Sequence, residues 1–249
     1  MDIFVYIIII IAAFLAVTLA TMIGFGSKLA LIAVLLFFFD MKSAVIITAT
    51  FTIVSFSFRL FLFRKSFDKK LFLRMLVFLI PGIVIGLLIF KSIEAENLKL
   101  MFAVFLLLFV VYKILFQKEP KYKFTELTLG VGIFFFGLME ATIGAAGPLM
   151  AIFLLHYGKR KEEFVAFAAS MFLVSSIVRV SGYAYYGLIN KSILPIIAII
   201  AFISIIGNLA GKKLLKKMPV KVFEYLVLGM FFVIGMRDIV EKLMTYVFR

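Results

Sequence analysis

Ten apolar runs separated by short connectors make up most of the chain, and they restrict its fold more than any other feature. The runs cover residues 3–23, 27–39, 43–63, 71–90, 98–116, 125–143, 147–157, 162–187, 190–211 and 221–247. Most of them are long enough to cross a bilayer as helices. Hydrophobic residues form 65% of the 249, and the mean hydropathy of +1.21 is far above that of soluble domains. The sequence therefore predicts an all-α polytopic membrane protein, whose first run is a membrane helix rather than a cleaved signal peptide.

Two of the runs are too short to span the membrane. At a rise of 1.5 Å per residue, the run 147–157 reaches only ~16 Å and the run 27–39 reaches ~20 Å, against a hydrocarbon core of about 30 Å. Each follows a break that contains glycine, at Gly24 to Ser27 and at Gly144 to Pro148. The sequence predicts a broken or re-entrant helix pair at each break.

The two breaks belong to an internal repeat. A shift of 120 residues places "MIGFGSKLAL" (22–31) on "TIGAAGPLMA" (142–151). The same shift matches Ser55 with Ser175 and Arg59 with Arg179, and polar matches inside apolar runs are not expected by chance. The prediction is a first membrane repeat over 1–117, a cytoplasmic linker over 118–124 and a second membrane repeat over 125–249.

Charge indicates that the two repeats are inverted. The connector 64–74 holds five basic residues, whereas its counterpart 184–194 holds only Lys191. The connector 91–99 is balanced in charge, whereas 211–219 carries four lysines. Basic connectors face the cytoplasm, and the connectors predicted there are 64–74, 118–126, 158–163 and 211–221. Both termini are expected outside the cytoplasmic membrane. Topology therefore explains the net charge of +14, and no nucleic-acid partner is implied.

Inverted repeats with interrupted helices are typical of secondary transporters. Short helices that begin at the two breaks would direct free N–H groups and positive dipole ends at a bound anion. We expect Ser27 to cap the first short helix and Pro148 to lie in the first turn of the second. The backbone part of the predicted site comprises Gly24, Gly26, Ser27, Gly144, Ala145, Ala146, Gly147 and Pro148.

Charged side chains near the breaks complete the predicted site. Lys28 contacts the substrate in one interpretation; in the others it neutralises Glu140 or Asp40, or extends to the membrane surface. Ser55 with Arg59, and Ser175 with Arg179, share helix faces suited to an oxyanion. For Arg59 the alternative is a side chain that extends to the cytoplasmic interface. Glu140 is either a proton carrier for coupling or only the partner of Lys28.

Other classes of function have little support in the sequence. The chain has no cysteine and a single histidine, so we predict no disulfide, metal site or cofactor. No nucleophile with an adjacent base is evident, which argues against an enzyme. The alternatives to a secondary transporter of small oxyanions are an anion channel and a transporter of another small anion, such as a carboxylate.

The breaks also carry a family resemblance. "GLMEATIGAAGPLMAIFLL" (137–155) resembles the glycine-rich G-x-G-G-G-P-L stretch of the TauE/SafE sulfite exporter family, also called TSUP after 4-toluene sulfonate uptake permeases. "MIGFGSKLALIAVLL" (22–36) resembles its first copy. The resemblance implies transport of sulfite, thiosulfate or organosulfonates, with protons as a candidate coupling ion. Ala145 and Ala146 replace glycines of the family pattern, and Ser27 and Lys28 replace those of the first copy. Lys28 is therefore where a different anion would be selected.

Overall fold

The structure is a computed structural model that describes residues 3–23, 26–115, 123–144, 146–159 and 161–214. Each described helix lies largely within one of the apolar runs. The helices are α1 (Ile3–Ile23), α2 (Ser27–Leu35), α3 (Met41–Leu62), α4 (Lys69–Ser92), α5 (Ala95–Leu115), α6 (Glu126–Ile143), α7 (Gly147–Tyr157), α8 (Lys161–Tyr185) and α9 (Leu194–Leu214). Short 3-10 helices, Arg64–Ser66 and Lys191–Ile193, precede α4 and α9. The predicted run 221–247 and most of the predicted linker lie outside the described residues.

Six of the described helices, α1, α3, α4, α6, α8 and α9, are long and apolar enough to cross a membrane. The chain is therefore a multi-pass membrane protein. The prediction of two short helices is confirmed, since α2 has 9 residues and α7 has 11. However, α2 is shorter than the run 27–39, because the helix ends at Leu35 and the chain turns through residues 36–39.

Polar residues between the apolar runs determine where several helices begin. Asp40, Asp68 and Thr125 are the N-caps of α3, α4 and α6, and each side chain accepts a hydrogen bond from a backbone N–H three residues later. The expectation that Ser27 caps α2 is wrong. The N-cap is Gly26, in a left-handed conformation with φ of 104°, and Ser27 is the first residue of the helix. Pro148 lies in the first turn of α7, as predicted.

Helices α4 and α6 pack closely because two glycines of α4 leave room for the α6 backbone. A methyl group at Gly82 would overlap the carbonyl oxygen of Phe134, and one at Gly86 would overlap that of Leu138. Small residues of this kind allow membrane helices to approach each other closely.

Helices α9 and α1 make a contact of the same kind. A methyl group at Gly211 would overlap the carbonyl oxygen of Thr18, and one at Gly207 would stand 3.2 Å from that of Phe14. The α1 contact residues lie 120 residues before those of α6, whereas the α9 glycines lie 125 residues after those of α4. The ungapped shift of 120 residues therefore does not extend to α9, where the corresponding contact residues are offset by 125.

Contacts between the described parts of the connectors group them at two ends of the helices. Three links join connectors at one end: Lys159 to Asp68 at 2.9 Å, Arg74 to Glu126 at 2.8 Å and Lys212 Nζ to the Leu62 carbonyl at 3.2 Å. At the other end, Lys91 Nζ lies 4.2 Å from the centre of the Tyr186 ring. The basic connectors thus share one end, and its assignment to the cytoplasm stays a prediction.

Candidate functional site

Glu140 is the centre of a buried ion-pair cluster between the two breaks. It lies in the last turn of α6 and is fully buried. Its Oε1 accepts hydrogen bonds from Lys28 Nζ and, at 2.9 Å, from Arg179 Nη1. Its Oε2 accepts the backbone N–H of Ala146 at 2.8 Å. One carboxylate therefore joins the start of α2, the C-terminal half of α8 and the second break.

The environment of Lys28 excludes two of the interpretations of this residue. Lys28 is 3% exposed, so it does not extend to the membrane surface. Asp40 is not its partner, because that carboxylate caps α3 at Ser43. Lys28 pairs with Glu140, and its contact with a substrate stays a prediction. The cluster holds two cations and one carboxylate, and this excess positive charge in a low-dielectric interior favours an additional anion.

Two phenylalanines that the sequence did not single out pack against Lys28. Phe56 of α3 and Phe172 of α8 stack with ring centres 4.9 Å apart. Lys28 Nζ lies 5.4 Å from the Phe56 centre and 4.9 Å from the Phe172 centre. Such contacts stabilise a desolvated ammonium group. One turn away, the Thr52 and Ser176 hydroxyls lie 3.0 Å apart and make the corresponding contact between α3 and α8.

A narrow cleft with room for about one water molecule lies against this cluster. It is lined by Gly26, Ser27, Lys28, Leu29, Phe56, Glu140, Gly147 and Phe172. The structure therefore brings both breaks to one cavity, beside the middle of α3 and α8. Ala146 and Pro148 are buried next to it, and Gly24 and Ala145 lie outside the described residues.

Gly144 shows why the second break needs a residue without a side chain. It ends α6 with φ of 82°, a left-handed conformation that L side chains rarely adopt. A Cβ at this position would also stand 3.3 Å from Arg179 Nη2 and 3.1 Å from Val45. The chain thus turns sharply beside the guanidinium group.

Arg59 lies in a second polar cluster, which also contacts Phe56. Its Nε donates to Asn208 Oδ1 at 3.0 Å, and the same oxygen accepts from Thr21 Oγ1 at 2.7 Å. Asn208 Nδ2 donates to the Ser55 carbonyl at 3.1 Å and to Ser55 Oγ at 3.0 Å. Arg59 is fully buried, so the alternative in which it extends to the interface is wrong. The guanidinium carbon lies 5.1 Å from the Phe56 ring centre.

The matched serine and arginine pairs do not bond to each other directly. Ser55 binds Asn208, and Ser175 Oγ has no partner among the described residues. Arg179 binds Glu140 and, through Nε, the Tyr183 hydroxyl at 3.0 Å. Sequence reasoning missed Asn208, and the available signal was an amide side chain inside an apolar helix.

Comparison with known proteins gives a family. The family model described as "Sulfite exporter TauE/SafE" matches residues 9–237, which is nearly the whole chain. No curated protein and no solved structure matches the chain.

Proposed function

We propose that this chain, which belongs to the TauE/SafE sulfite exporter family of membrane transporters, is a secondary transporter for small sulfur-containing oxyanions. Sulfite, thiosulfate and organosulfonates are the substrates in question. The observation that carries the proposal is the buried cluster of Lys28, Glu140 and Arg179, because its cations outnumber its carboxylate. A transporter of anions needs such positive charge in its interior, and the family membership agrees with it.

The anion would bind in the cleft at the two breaks. Lys28 and Arg179 would supply charge, and the backbone around Gly26, Ser27 and Gly147 would approach the substrate without obstruction from side chains. Gly144, Ala146 and Pro148 shape the second break, and Gly24 and Ala145 stay proposals for the same site. Ser55, Arg59 and Ser175 stay proposed substrate-binding residues, although they do not line the cleft.

Alternating access would follow from motion of one half of the protein against the other. The recurring helix contacts support the inverted repeat that this mechanism needs: α1 packs on α9 as α4 packs on α6. The contacts between α3 and α8 agree. The 120-residue shift matches Phe56 with Ser176 and Thr52 with Phe172, so it converts the Phe56–Phe172 pair into the Thr52–Ser176 pair. Substrate bound between these central helices would be reached from each side in turn.

Glu140 would couple this cycle to protons. As a carboxylate it occupies Lys28 and Arg179, so it competes with a substrate anion for the same donors. Protonation would release those donors to the substrate. The charged groups that face Glu140 are these two cations, with the Tyr183 hydroxyl bound to Arg179 behind them.

Flux into liposomes tests the proposal. We expect purified protein to move sulfite, thiosulfate or a small sulfonate with saturation, and Lys28→Met to reduce that flux by about tenfold or more. Lys42→Met is the matched control, because Lys42 lies in the first turn of α3 and contacts the Phe90 ring rather than Glu140. The proposal is refuted if the protein transports none of sulfite, thiosulfate, sulfate and sulfonates and none of these anions protects it against thermal unfolding. Saturation and dependence on a proton gradient would exclude a channel.

A further inference from the structure

The Arg59 guanidinium has donors without partners. It is fully buried, and only its Nε is hydrogen-bonded, to Asn208. Both terminal nitrogens, Nη1 and Nη2, lack a partner among the described residues. No described carboxylate pairs with it. A charged group buried in this way is strongly unfavourable unless an opposite charge or further hydrogen bonds offset it.

The matched arginine of the second half shows what such a site holds. Arg179 lies 120 residues after Arg59, and its Nη1 binds the Glu140 carboxylate. The residue 120 positions before Glu140 is Ala20, which is buried. In the first half, therefore, the position of the carboxylate is taken by a methyl group.

Helix packing supports the equivalence of Ala20 and Glu140. A methyl group at Gly86 would stand 2.7 Å from the Cβ of Ala141, and one at Gly211 would stand 2.7 Å from the Cβ of Thr21. The residue after Glu140 thus faces α4 in the way that the residue after Ala20 faces α9. Thr21 also reaches Asn208, the residue that holds Arg59.

We propose that Nη1 and Nη2 of Arg59 bind an oxyanion of the sulfite or sulfonate class, in the position that the Glu140 carboxylate occupies beside Arg179. This inference rests on the proposed function and adds a second subsite to it. Asn208 fixes the guanidinium through Nε and is itself held by Thr21 and Ser55, so the two free donors are oriented before the anion arrives. Both Lys28 Nζ and the Arg59 guanidinium carbon lie within 5.4 Å of the Phe56 ring centre, which makes the two subsites neighbours.

The donor geometry also defines the class of ligand. Two parallel N–H groups of a guanidinium fit two oxygens of one sulfur centre, whereas a halide accepts from a single point. Sulfite and methanesulfonate are therefore expected to bind more tightly at Arg59 than chloride does.

Ala20→Glu tests the subsite, because a built-in carboxylate would occupy Arg59 as Glu140 occupies Arg179. Ala20→Gln is the matched control, of the same size and without the charge. We expect sulfite affinity, measured by titration calorimetry on purified full-length protein, to be about tenfold or more weaker in Ala20→Glu than in Ala20→Gln. We also expect Ala20→Glu to unfold at a temperature no lower than Ala20→Gln, since its charge is paired.

Equal sulfite affinity in the two variants would overturn the subsite. Arg59→Lys gives a second test that does not depend on the folding of Ala20→Glu, because it keeps the charge and removes the paired donors. We expect it to weaken sulfite by about tenfold and to leave chloride affinity nearly unchanged; equal effects on the two anions would count against the proposal. If wild-type protein binds and transports sulfite, and these variants bind sulfite with the same affinity, then only the proposed Arg59 subsite is refuted. If wild-type protein neither binds nor moves an oxyanion, the proposed function fails with it.

Discussion

Replacing Glu140 by glutamine measures how much of the protein's stability depends on one buried carboxylate. Glu140 accepts hydrogen bonds from Lys28, Arg179 and the backbone N–H of Ala146. Glutamine keeps one acceptor oxygen and replaces the other with a donor, so it leaves two buried cations without a counter-charge. Removing one partner of a buried ion pair costs about 3–5 kcal/mol. We expect Glu140→Gln to lose free energy of unfolding in this range.

The assay is a double-mutant cycle on purified protein in detergent, with thermal unfolding as the measurement. The cycle consists of Glu140→Gln, Lys28→Met and the double variant. We expect the double variant to be more stable than Glu140→Gln, because it contains one unpaired cation fewer. Sulfite should also raise the unfolding temperature of Glu140→Gln more than that of wild type, since the released cations accept an external anion. Glu163→Gln is the control, because that exposed carboxylate should change the free energy of unfolding by about 0.5 kcal/mol or less.

Two results would refute this reasoning. One is a Glu140→Gln variant as stable as wild type, which would show that the carboxylate does not compensate the cations. The other is strict additivity in the cycle, which would show that Lys28 and Glu140 are not energetically coupled despite their contact.

Three further predictions concern packing, pH and topology. Gly86→Ala should cost about 1–3 kcal/mol of stability, because its methyl group would overlap the α6 backbone, and thermal unfolding measures this. The Leu71 N–H and Lys159 hold the pKa of Asp68 below 3.8, so its contribution to stability is present above that pH and is lost as the pH falls further. Unfolding of Asp68→Asn followed against pH should lack that dependence. The chain has no native cysteine, so introduced cysteines can be labelled with a thiol reagent without background. Phe67→Cys should be labelled only from the cytoplasmic side, and Gly187→Cys should be labelled from outside in intact cells. The reverse pattern would contradict the inverted arrangement.

The helices were predictable because the membrane imposes one simple rule on their sequence. An apolar run must be long enough to span the hydrocarbon core, so the two short runs identified α2 and α7. The pairing of Lys28 with Glu140 was also open to prediction, since isolated charges in membrane helices need partners. Both inferences use only the unfavourable free energy of polar groups in lipid.

Tertiary contacts between distant helices were not predictable in this way. Asn208 reaches Arg59 across 149 positions of sequence, and no local pattern encodes that approach. The stacking of Phe56 on Phe172 could not be predicted, because the chain has 32 phenylalanines and most of them lie in apolar runs with no distinguishing pattern. The cap of α2 was misassigned because a serine beside a glycine suggests a cap, whereas here Gly26 takes the left-handed conformation itself.

The crossing of α3 and α8 has a consequence for the energetics of a transport cycle. If the two halves were identical, the states open to opposite sides of the membrane would have equal free energy. Neither state would then predominate without a gradient. The stacked ring pair and the hydroxyl pair occupy equivalent places but respond differently to water, since apolar rings lose stabilisation when wetted and hydroxyls do not. Under the proposed alternating access, opening on the side of the rings would cost more free energy than opening on the side of the hydroxyls. Under the proposed mechanism, a protein without substrate rests facing one compartment. Exchange of Phe56 with Ser176 leaves one ring and one hydroxyl on each side, so it should remove that preference.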